Sequence, residues 1–241
     1  MNDWTSRRNS VHWAAQLASA AGATLLPARD DFGHTNLGWS DDLGALVGRT
    51  LPGGKAVALR PRDLALIVTG ADVRLSLEGR TLDHGLAWLS DQLEAELELP
   101  DHDLPEPPER FGSGVQELGE WFATAHAQVT RVADGREVRC WPHHFDLATR
   151  ITLDPEMDAE DARSIGVGMT PGDDSYARPY WYVTPWPYPD ADALPDLPDE
   201  AAWHTEGWTG AVLVDEREAA AIGAFLPAAI DACRGLLQHG G

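Results

Sequence analysis

Residues 140–151 read CWPHHFDLATRI, residues 164–186 read SIGVGMTPGDDSYARPYWYVTPW, and residues 203–208 read WHTEGW. Together these segments hold five of the ten tryptophans, three of the four tyrosines and three of the nine histidines. Apolar residues alternate with small or polar residues along the first two segments, which is the period of a β-strand with two different faces. The segments therefore predict the strands around which the rest of the chain is organised.

The first segment predicts a strand that follows Pro142. Alternation from that residue places His143 and Phe145 on one face and His144 and Asp146 on the other. Because proline cannot donate a hydrogen bond to a sheet, Pro142 marks the start of this strand, a sheet edge or a bulge.

The second segment predicts a strand with one unusually bare face. Gly166 and Gly168 share that face within residues 164–170. An aromatic ring from a neighbouring strand or a bound ligand must fill the room above the glycines. The following strand is the predicted partner, and it carries Tyr180 and Tyr182 on one of its faces.

The N-terminal half contains a second group of predicted strands. Apolar and polar side chains alternate within residues 56–78, as they do in two or three antiparallel strands with one face in water. Gly70 and Ala71 form the predicted two-residue turn between two of these strands, where glycine supplies a positive φ.

Four segments with helical periodicity predict helices. They cover residues 11–21, 82–99, 114–132 and 216–237. The predicted N-caps are Ser10, Thr81, Ser113 and Asp215. Asp215 would form a capping box with Glu218, and Pro227 would kink the last helix or restart it.

These elements predict an α+β fold. We expect a mainly antiparallel, strongly twisted sheet of about six to eight strands with helices packed on one face. The chain is read as a single domain over residues 1–241, or as two halves, 1–99 and 111–241. The proline-rich acidic loop at 100–110 would join those halves.

The charge balance limits the partners of the protein. Thirty-nine acidic residues face 18 basic ones, which gives a formal net charge of −21. Such a charge repels phosphate backbones and anionic lipids, so we expect neither nucleic acid nor membrane as a partner. Solubility alone is also a sufficient reason for the charge. The oligomeric state is left open.

The number and positions of the cysteines indicate the cellular compartment. Cys140 lies in a predicted strand and Cys233 in a predicted helix, so both are expected to be buried thiols rather than a disulfide framework. The Ala-rich residues 13–23 are too short to span a bilayer. We therefore predict a cytoplasmic protein.

One set of residues suggests a metal site. His144 and Asp146, and likewise His204 and Glu206, are two residues apart, so each pair points to one side of a strand. If the strands adjoin, the four side chains could bind one divalent metal ion. In the alternative, His144 and Asp146 are a hydrogen-bonded pair that fixes one imidazole tautomer, and the other two residues lie on the surface.

A second set suggests a pocket for a small molecule. Aromatic faces combined with a few polar groups are typical of ligand sites. The predicted pocket residues are Trp141, His143, Tyr180, Tyr182 and Trp208. Aromatic side chains also build cores, so part of this set is alternatively core. The sequence contains no phosphate-binding glycine loop, dinucleotide fingerprint or serine nucleophile elbow.

The stretches WPHHFDLA, GDDSYARPYWYVTPWPYP and GWTGAVL resemble a bacterial family of unassigned activity, domain of unknown function family 5996. The resemblance covers roughly residues 138–235, and the N-terminal half fits only loosely. The matching residues are Trp141, Phe145, Asp146, Leu147, Ala148, Tyr180, Tyr182 and Pro185. His143, His144 and His204 lie outside the family pattern. The resemblance implies a bacterial origin and supplies no function.

Two functions stay open at this stage. The first is a small-molecule enzyme with an aromatic-lined pocket that could contain one divalent metal ion as its cofactor. The second is a non-catalytic protein that binds a small ligand or a protein partner. Bound metal would favour the first, and an aromatic pocket without converging titratable groups would favour the second.

Overall fold

The chain divides into two units, each with an antiparallel sheet of its own. The first unit comprises Met1–Ala123 and Arg139–Asp146, and the second comprises Thr124–Val138 and Leu147–Gly241. The structure, a computed structural model, describes residues 3–71, 73–158 and 161–239.

Five short strands form the sheet of the first unit. They are β1 (Gly38–Ser40), β2 (Ala45–Val47), β3 (Ala56–Arg60), β4 (Ala65–Thr69) and β5 (Val73–Ser76), hydrogen-bonded in chain order. All four pairings are antiparallel. The prediction of two or three antiparallel strands within residues 56–78 is confirmed, with three strands present, and Gly70 has the expected positive φ of 80°.

Helix α1 (Asp3–Leu25) begins eight residues before the predicted start at Val11. Ser10 was expected to cap the helix, but it lies buried inside it, and Gly22 does not end it. Tertiary packing explains the extension, because Trp4 and Arg8 are only 5% and 8% exposed and so belong to the core-facing part of the first turns.

Helix α2 (Leu82–Leu93) has the predicted N-cap, because the Thr81 hydroxyl accepts a hydrogen bond from the amide of His84. The helix ends earlier than the sequence suggested. Glu94 adopts the left-handed conformation at φ 52° and its amide bonds to Ser90 O, which stops the helix six residues before Pro100.

Helix α3 (Gln116–Val132) starts after the predicted cap. Ser113 does not cap it; its hydroxyl donates to Glu78 Oε1 at 2.7 Å. The amide of Val115 donates to the carbonyl of Pro61 at 2.8 Å, which holds the chain in a non-helical path up to the first turn.

Strand β6 (Arg139–Trp141) leads into a turn, and the predicted strand from His143 is wrong over its first three residues. The amides of His144 and Phe145 both donate to Trp141 O, at 3.0 and 2.7 Å, and Phe145 has φ 60°. His143 and His144 therefore lie in a tight turn and do not alternate across a sheet.

The second unit contains five further strands. They are β7 (Asp146–Thr152, whose first residue belongs to the first unit), β8 (Ser164–Thr170), β9 (Tyr180–Trp186), β10 (Ala202–His204) and β11 (Gly210–Val214). Their order is β10-β11-β9-β8-β7, and each neighbouring pair is antiparallel. The peptide bond Trp186–Pro187 is cis.

The bare face of β8 is covered by Tyr182. A Cβ added at Gly168 would lie 2.7 Å from Tyr182 Oη and 2.8 Å from the carbonyl oxygen of Leu147, and one added at Gly166 would lie 3.9 Å from a ring carbon of Tyr182. The sequence left two occupants open, an aromatic ring from a neighbouring strand or a ligand, and the structure places the Tyr182 ring there.

Helix α4 (Ala219–His239) packs its apolar stripe on β8, β9 and β11. The buried residues of the stripe are Ile222, Phe225, Leu226, Ala229, Ile230, Cys233 and Leu237. Among the helices that the structure describes, α4 alone is long and apolar enough to cross a membrane by length and composition. Packing on the sheet accounts for part of that apolar character, since 39% of this apolar window is buried.

The start of α4 differs from its prediction. Asp215 lies at φ 53°, and its carboxylate accepts two hydrogen bonds from Arg178, at 3.0 and 3.1 Å, instead of forming a capping box with Glu218. The helix is continuous through Pro227 and does not restart there.

The α+β class with antiparallel sheets is confirmed, with the strands divided between two sheets. The loop at 100–110 lies inside the first unit. Both cysteines are free and buried, as expected.

Gly168→Ala is expected to destabilise the second unit by roughly 1–3 kcal/mol, because a methyl group would press against Tyr182 and the Leu147 backbone. Urea denaturation would measure the loss. Gly112→Ala is the control, since a Cβ there meets no atom within 4 Å. Equal effects of the two substitutions would contradict the tight packing over β8.

Candidate functional site

A cleft of about 840 Å³ opens in the second unit between the chain that follows β9 and the C-terminal half of α4. We call it the α4 cleft. Twelve residues line it: Arg163, Pro187, Tyr188, Pro189, Asp190, Ala193, Pro195, Asp231, Ala232, Gly235, Leu236 and Leu237. The volume lies within the range of about 300–1,000 Å³ that small-molecule sites occupy.

The walls of the α4 cleft are mainly apolar. Three prolines, Pro187, Pro189 and Pro195, restrict the backbone of the loop wall, because each fixes its own φ. Tyr188 is 47% exposed, and the neighbouring Trp186 is 45% exposed and lies edge-on to it at 5.4 Å between ring centroids. Exposed aromatic side chains beside an apolar cleft are typical of ligand sites.

The one arginine of the cleft is held by its own chain. Arg163 donates to both carboxylate oxygens of Asp154, at 2.8 and 2.7 Å, and to the carbonyl of Leu237 at 2.9 Å. The Arg163 side chain holds the pKa of Asp154 down at about 2. The pair therefore keeps its charge over the whole working range of pH and ties the end of α4 to the start of β8.

The second unit also contains a tyrosine–histidine cluster, consisting of Tyr176, Tyr180, Tyr182, His204 and Trp208. The His204 ring stacks on Trp208 at 4.3 Å, and Trp208 stacks on Tyr180 at 6.3 Å. Tyr176 packs against both Tyr180 and His204. The loop between β8 and β9 and the turn after β10 supply the members that do not lie on strands.

Hydrogen bonds fix the tautomer of His204. Its Nε2–H donates to the carbonyl of Glu206 at 2.8 Å, which leaves Nδ1 as an acceptor for the hydroxyl of Tyr176 at 3.1 Å. Burial raises the pKa of Tyr176, and the carboxylates of Asp173 and Glu206 raise it further. The phenol is thus kept protonated and can donate to His204 Nδ1.

Asp173 organises the loop that carries Tyr176. One carboxylate oxygen accepts from the amides of Ser175 and Tyr176, at 2.8 and 3.1 Å, and the other accepts from the hydroxyl of Tyr180 at 2.6 Å. The carboxylate is therefore used to build an Asx-type turn and to orient a tyrosine.

Four histidines approach one another in the first unit. His12 stacks on Phe145 at 4.6 Å, and its Nε2–H donates to the carbonyl of Pro142. His143 lies 4.3 Å from the ring of His144 and 5.3 Å from that of His102. The Gln16 amide donates to the same Pro142 carbonyl at 2.7 Å, so two donors from α1 fix the turn after β6.

His12, His102 and His143 are held in the neutral form. The pKa of His12 and of His143 is lowered to about 4, mainly by burial and in smaller part by the neighbouring imidazoles. Burial also lowers the pKa of His102. A second proton charge in this group would be repelled by the first, so the arrangement suits neutral rings.

The structure does not assemble the predicted metal set. His144 and Asp146 belong to the first unit, whereas His204 and Glu206 belong to the second. His204 already uses both ring nitrogens, for Tyr176 and for the Glu206 carbonyl. Over residues 3–71, 73–158 and 161–239, no three His, Cys, Asp or Glu side chains are arranged to hold a metal ion.

The predicted pocket residues separate into two groups. Tyr180, Tyr182 and Trp208 come together in the tyrosine–histidine cluster. Trp141 and His143 belong to the first unit, where the Trp141 indole donates to the carbonyl of Asp31 at 3.5 Å and His143 packs beside Phe32.

Sequence reasoning missed the α4 cleft. Residues 190–200 carry no predicted element or site residue, and α4 is predicted from the sequence only as a helix. The signal that could have found the cleft is the run WPYP at 186–189, which places two aromatic residues beside prolines in an otherwise polar loop.

No protein-family model matches the chain, and neither a curated protein nor a solved structure matches it. The resemblance of residues 138–235 to family 5996 stays a prediction.

Acid is expected to destabilise the protein through His12. The unfolded imidazole has its pKa near 6.5 and the folded one near 4, so stability is complete above pH 6.5 and falls as pH drops toward 4. The loss at the lower limit is roughly 3 kcal/mol. Urea denaturation at several pH values would measure it.

His12→Gln keeps a donor for Pro142 and removes the titrating group, so its stability should fall less steeply with acid. His84→Gln is the control, because His84 is exposed on α2. The same pH slope in wild type and His12→Gln would refute this role of His12.

Proposed function

We propose that this protein binds an amphipathic small molecule in the α4 cleft and acts without catalysis, as a ligand-binding protein. The single observation that carries the proposal is the α4 cleft itself, about 840 Å³ with mainly apolar walls. A few polar groups at its edge, Asp190 and Asp231 among them, can orient a ligand.

The restricted mobility of the two walls of the α4 cleft supports ligand binding. The Arg163–Asp154 pair and the bond from Arg163 to the Leu237 carbonyl hold the helix wall in place. The prolines restrict the loop wall. A pocket with restricted walls loses little conformational entropy when a ligand enters, so more of the contact energy appears as affinity.

We propose further that the protein is bacterial and works in the cytoplasm, with neither nucleic acid nor membrane as a partner. The buried free thiols of Cys140 and Cys233 support a reducing compartment. The net charge of −21 supports the exclusion of phosphate backbones and anionic lipids. The resemblance to family 5996 supports the bacterial origin.

Filling the cleft is expected to abolish binding. Gly235 lines the cleft, and a Cβ at this position would meet no atom within 4 Å, so Gly235→Leu projects a side chain into open space. Leucine also favours the helix over glycine by roughly 1 kcal/mol, so the variant should be at least as stable as the wild type.

Thermal shift with a library of drug-sized amphipathic compounds is the measurement. Compounds that stabilise the wild type should no longer stabilise Gly235→Leu. Gly223→Leu is the matched control on the same helix, since Gly223 is exposed and its nearest neighbour would be an ordinary contact at 3.9 Å. Compounds that stabilise both variants equally bind elsewhere and would count against the cleft.

A second candidate function is a small-molecule enzyme that uses the tyrosine–histidine cluster. The observation that favours it is the bond from Tyr176 Oη to His204 Nδ1, with the imidazole oriented by the Glu206 carbonyl. A base oriented by a third group beside a hydroxyl donor is the arrangement of general acid–base catalysis.

Turnover of model ester and phosphate substrates would test the second function. If the cluster is catalytic, Tyr176→Phe should lower kcat by about 100-fold or more, the usual contribution of a positioned acid or base. Tyr188→Phe is the control, because Tyr188 lies in the α4 cleft instead. Equal activity of Tyr176→Phe and wild type would remove the cluster from the chemistry.

A further inference from the structure

We infer that the ligand of the α4 cleft is an amphipathic cation, an amine that carries an apolar chain or ring. This inference rests on the proposed binding function and adds the charge of the ligand. It follows from the charged groups that line the cleft and from the way each of them is already bonded.

The positive charge of the cleft is neutralised within the protein. Arg163 meets Asp154 through two parallel hydrogen bonds of 2.8 and 2.7 Å, and it also donates to the Leu237 carbonyl at 2.9 Å. A bidentate pair of this kind fixes the guanidinium and cancels its charge. An anionic ligand would have to displace Asp154 to gain a comparable partner.

The carboxylates of the cleft are compensated by positive charge far less than Arg163 is compensated by Asp154. One carboxylate oxygen of Asp190 accepts only a neutral backbone amide, that of Asp192, at 3.1 Å. Asp231 meets Arg234 at 3.4 Å in an ion pair whose side chains are 76% and 47% exposed. Water weakens such an exposed pair, so the Asp231 carboxylate can exchange Arg234 for the ammonium group of a ligand at little cost.

The helix wall adds to the negative potential. The cleft lies against the last turns of α4, where Leu236 and Leu237 precede the helix end at His239. The carbonyl end of a helix carries a partial negative charge, and cations bind favourably near it. The overall charge of −21 acts in the same direction at longer range.

The remaining surface suits the apolar part of such a ligand. Pro187, Pro189, Pro195, Ala232 and Leu236 offer aliphatic contacts. The half-exposed ring of Tyr188 offers an aromatic face, to which an ammonium group is attracted by the ring quadrupole. A molecule with one positive end and one apolar end can therefore contact the carboxylates and the apolar lining of the cleft at the same time.

The other clusters and the room over β8 offer weaker support for a ligand site than the α4 cleft does. The first-unit histidines do not form a metal-binding group among the described residues. The room above the glycines of β8 is occupied by Tyr182. In the tyrosine–histidine cluster the imidazole already bonds within the protein through both of its nitrogens.

The test compares three probes of nearly equal size: 4-phenylbutylamine, 4-phenylbutanol and 4-phenylbutanoate. Their affinities for the full chain would be measured by isothermal titration calorimetry at low and high salt. The amine should bind at least tenfold more tightly than the alcohol, the carboxylate should bind most weakly, and added salt should reduce the preference for the amine.

A double variant removes the two carboxylate charges of the cleft and leaves the shape of its lining nearly unchanged. Asp190→Asn with Asp231→Asn should weaken the amine about tenfold or more and leave the alcohol unchanged. Asparagine retains the cap that Asp190 provides to the amide of Asp192. Asp196→Asn with Asp199→Asn is the control, since it removes the same net charge from exposed positions that do not line the cleft.

The outcomes distinguish the inference from the proposed function. If all three probes bind equally and Gly235→Leu abolishes their binding, the cleft is a ligand site and the inferred charge preference is wrong. If the control double variant weakens the amine as much as the cleft variant, only the overall charge is involved and the inference is overturned. If no probe binds at millimolar concentration, the cleft proposal and the inference are both rejected.

Discussion

The packing of Tyr182 on the glycine face of β8 is the contact on which the second unit depends. Gly168 and Tyr182 are directly paired between β8 and β9, so the ring lies over its own cross-strand partner. A side chain on that face would collide with the ring, and a smaller residue in place of the tyrosine would leave a cavity. The contact fixes the register of β8 against β9, and the strands beyond them inherit that register.

This closure of the sheet face decides where a ligand can bind. Tyr182 fills the room over β8, and the polar groups of Tyr176, Tyr180 and His204 are hydrogen-bonded to neighbours in the chain. The α4 cleft is different, since prolines and helix residues leave space that no side chain of the described residues fills. Ligand binding is therefore better supported in the α4 cleft than over the sheet of the second unit.

The sequence predicted the parts that depend on local pattern. Alternation located β8 and β9, helical periodicity located α2 and α3, and Thr81 was correctly assigned as a cap, because these depend on neighbours in the chain. The turn after β6 was missed because contacts distant in sequence fix it: His12 and Gln16 both donate to Pro142. No group of metal ligands is found among the described residues, and the two-residue spacing of each predicted pair says nothing about which strands adjoin. The α4 cleft arises where two segments about 40 residues apart meet, and no local pattern marks that.

The burial of both thiols has a practical consequence. Cys233 has its pKa raised to about 12 by burial, and burial likewise raises the pKa of Cys140, so neither forms a thiolate at neutral pH. The chain has two cysteines in all. A new cysteine placed on an exposed turn of α4 would therefore be the one thiol that maleimide or iodoacetamide reagents modify quickly. The native chain is thus already suited to site-directed fluorophore or spin labelling, without prior removal of its own cysteines.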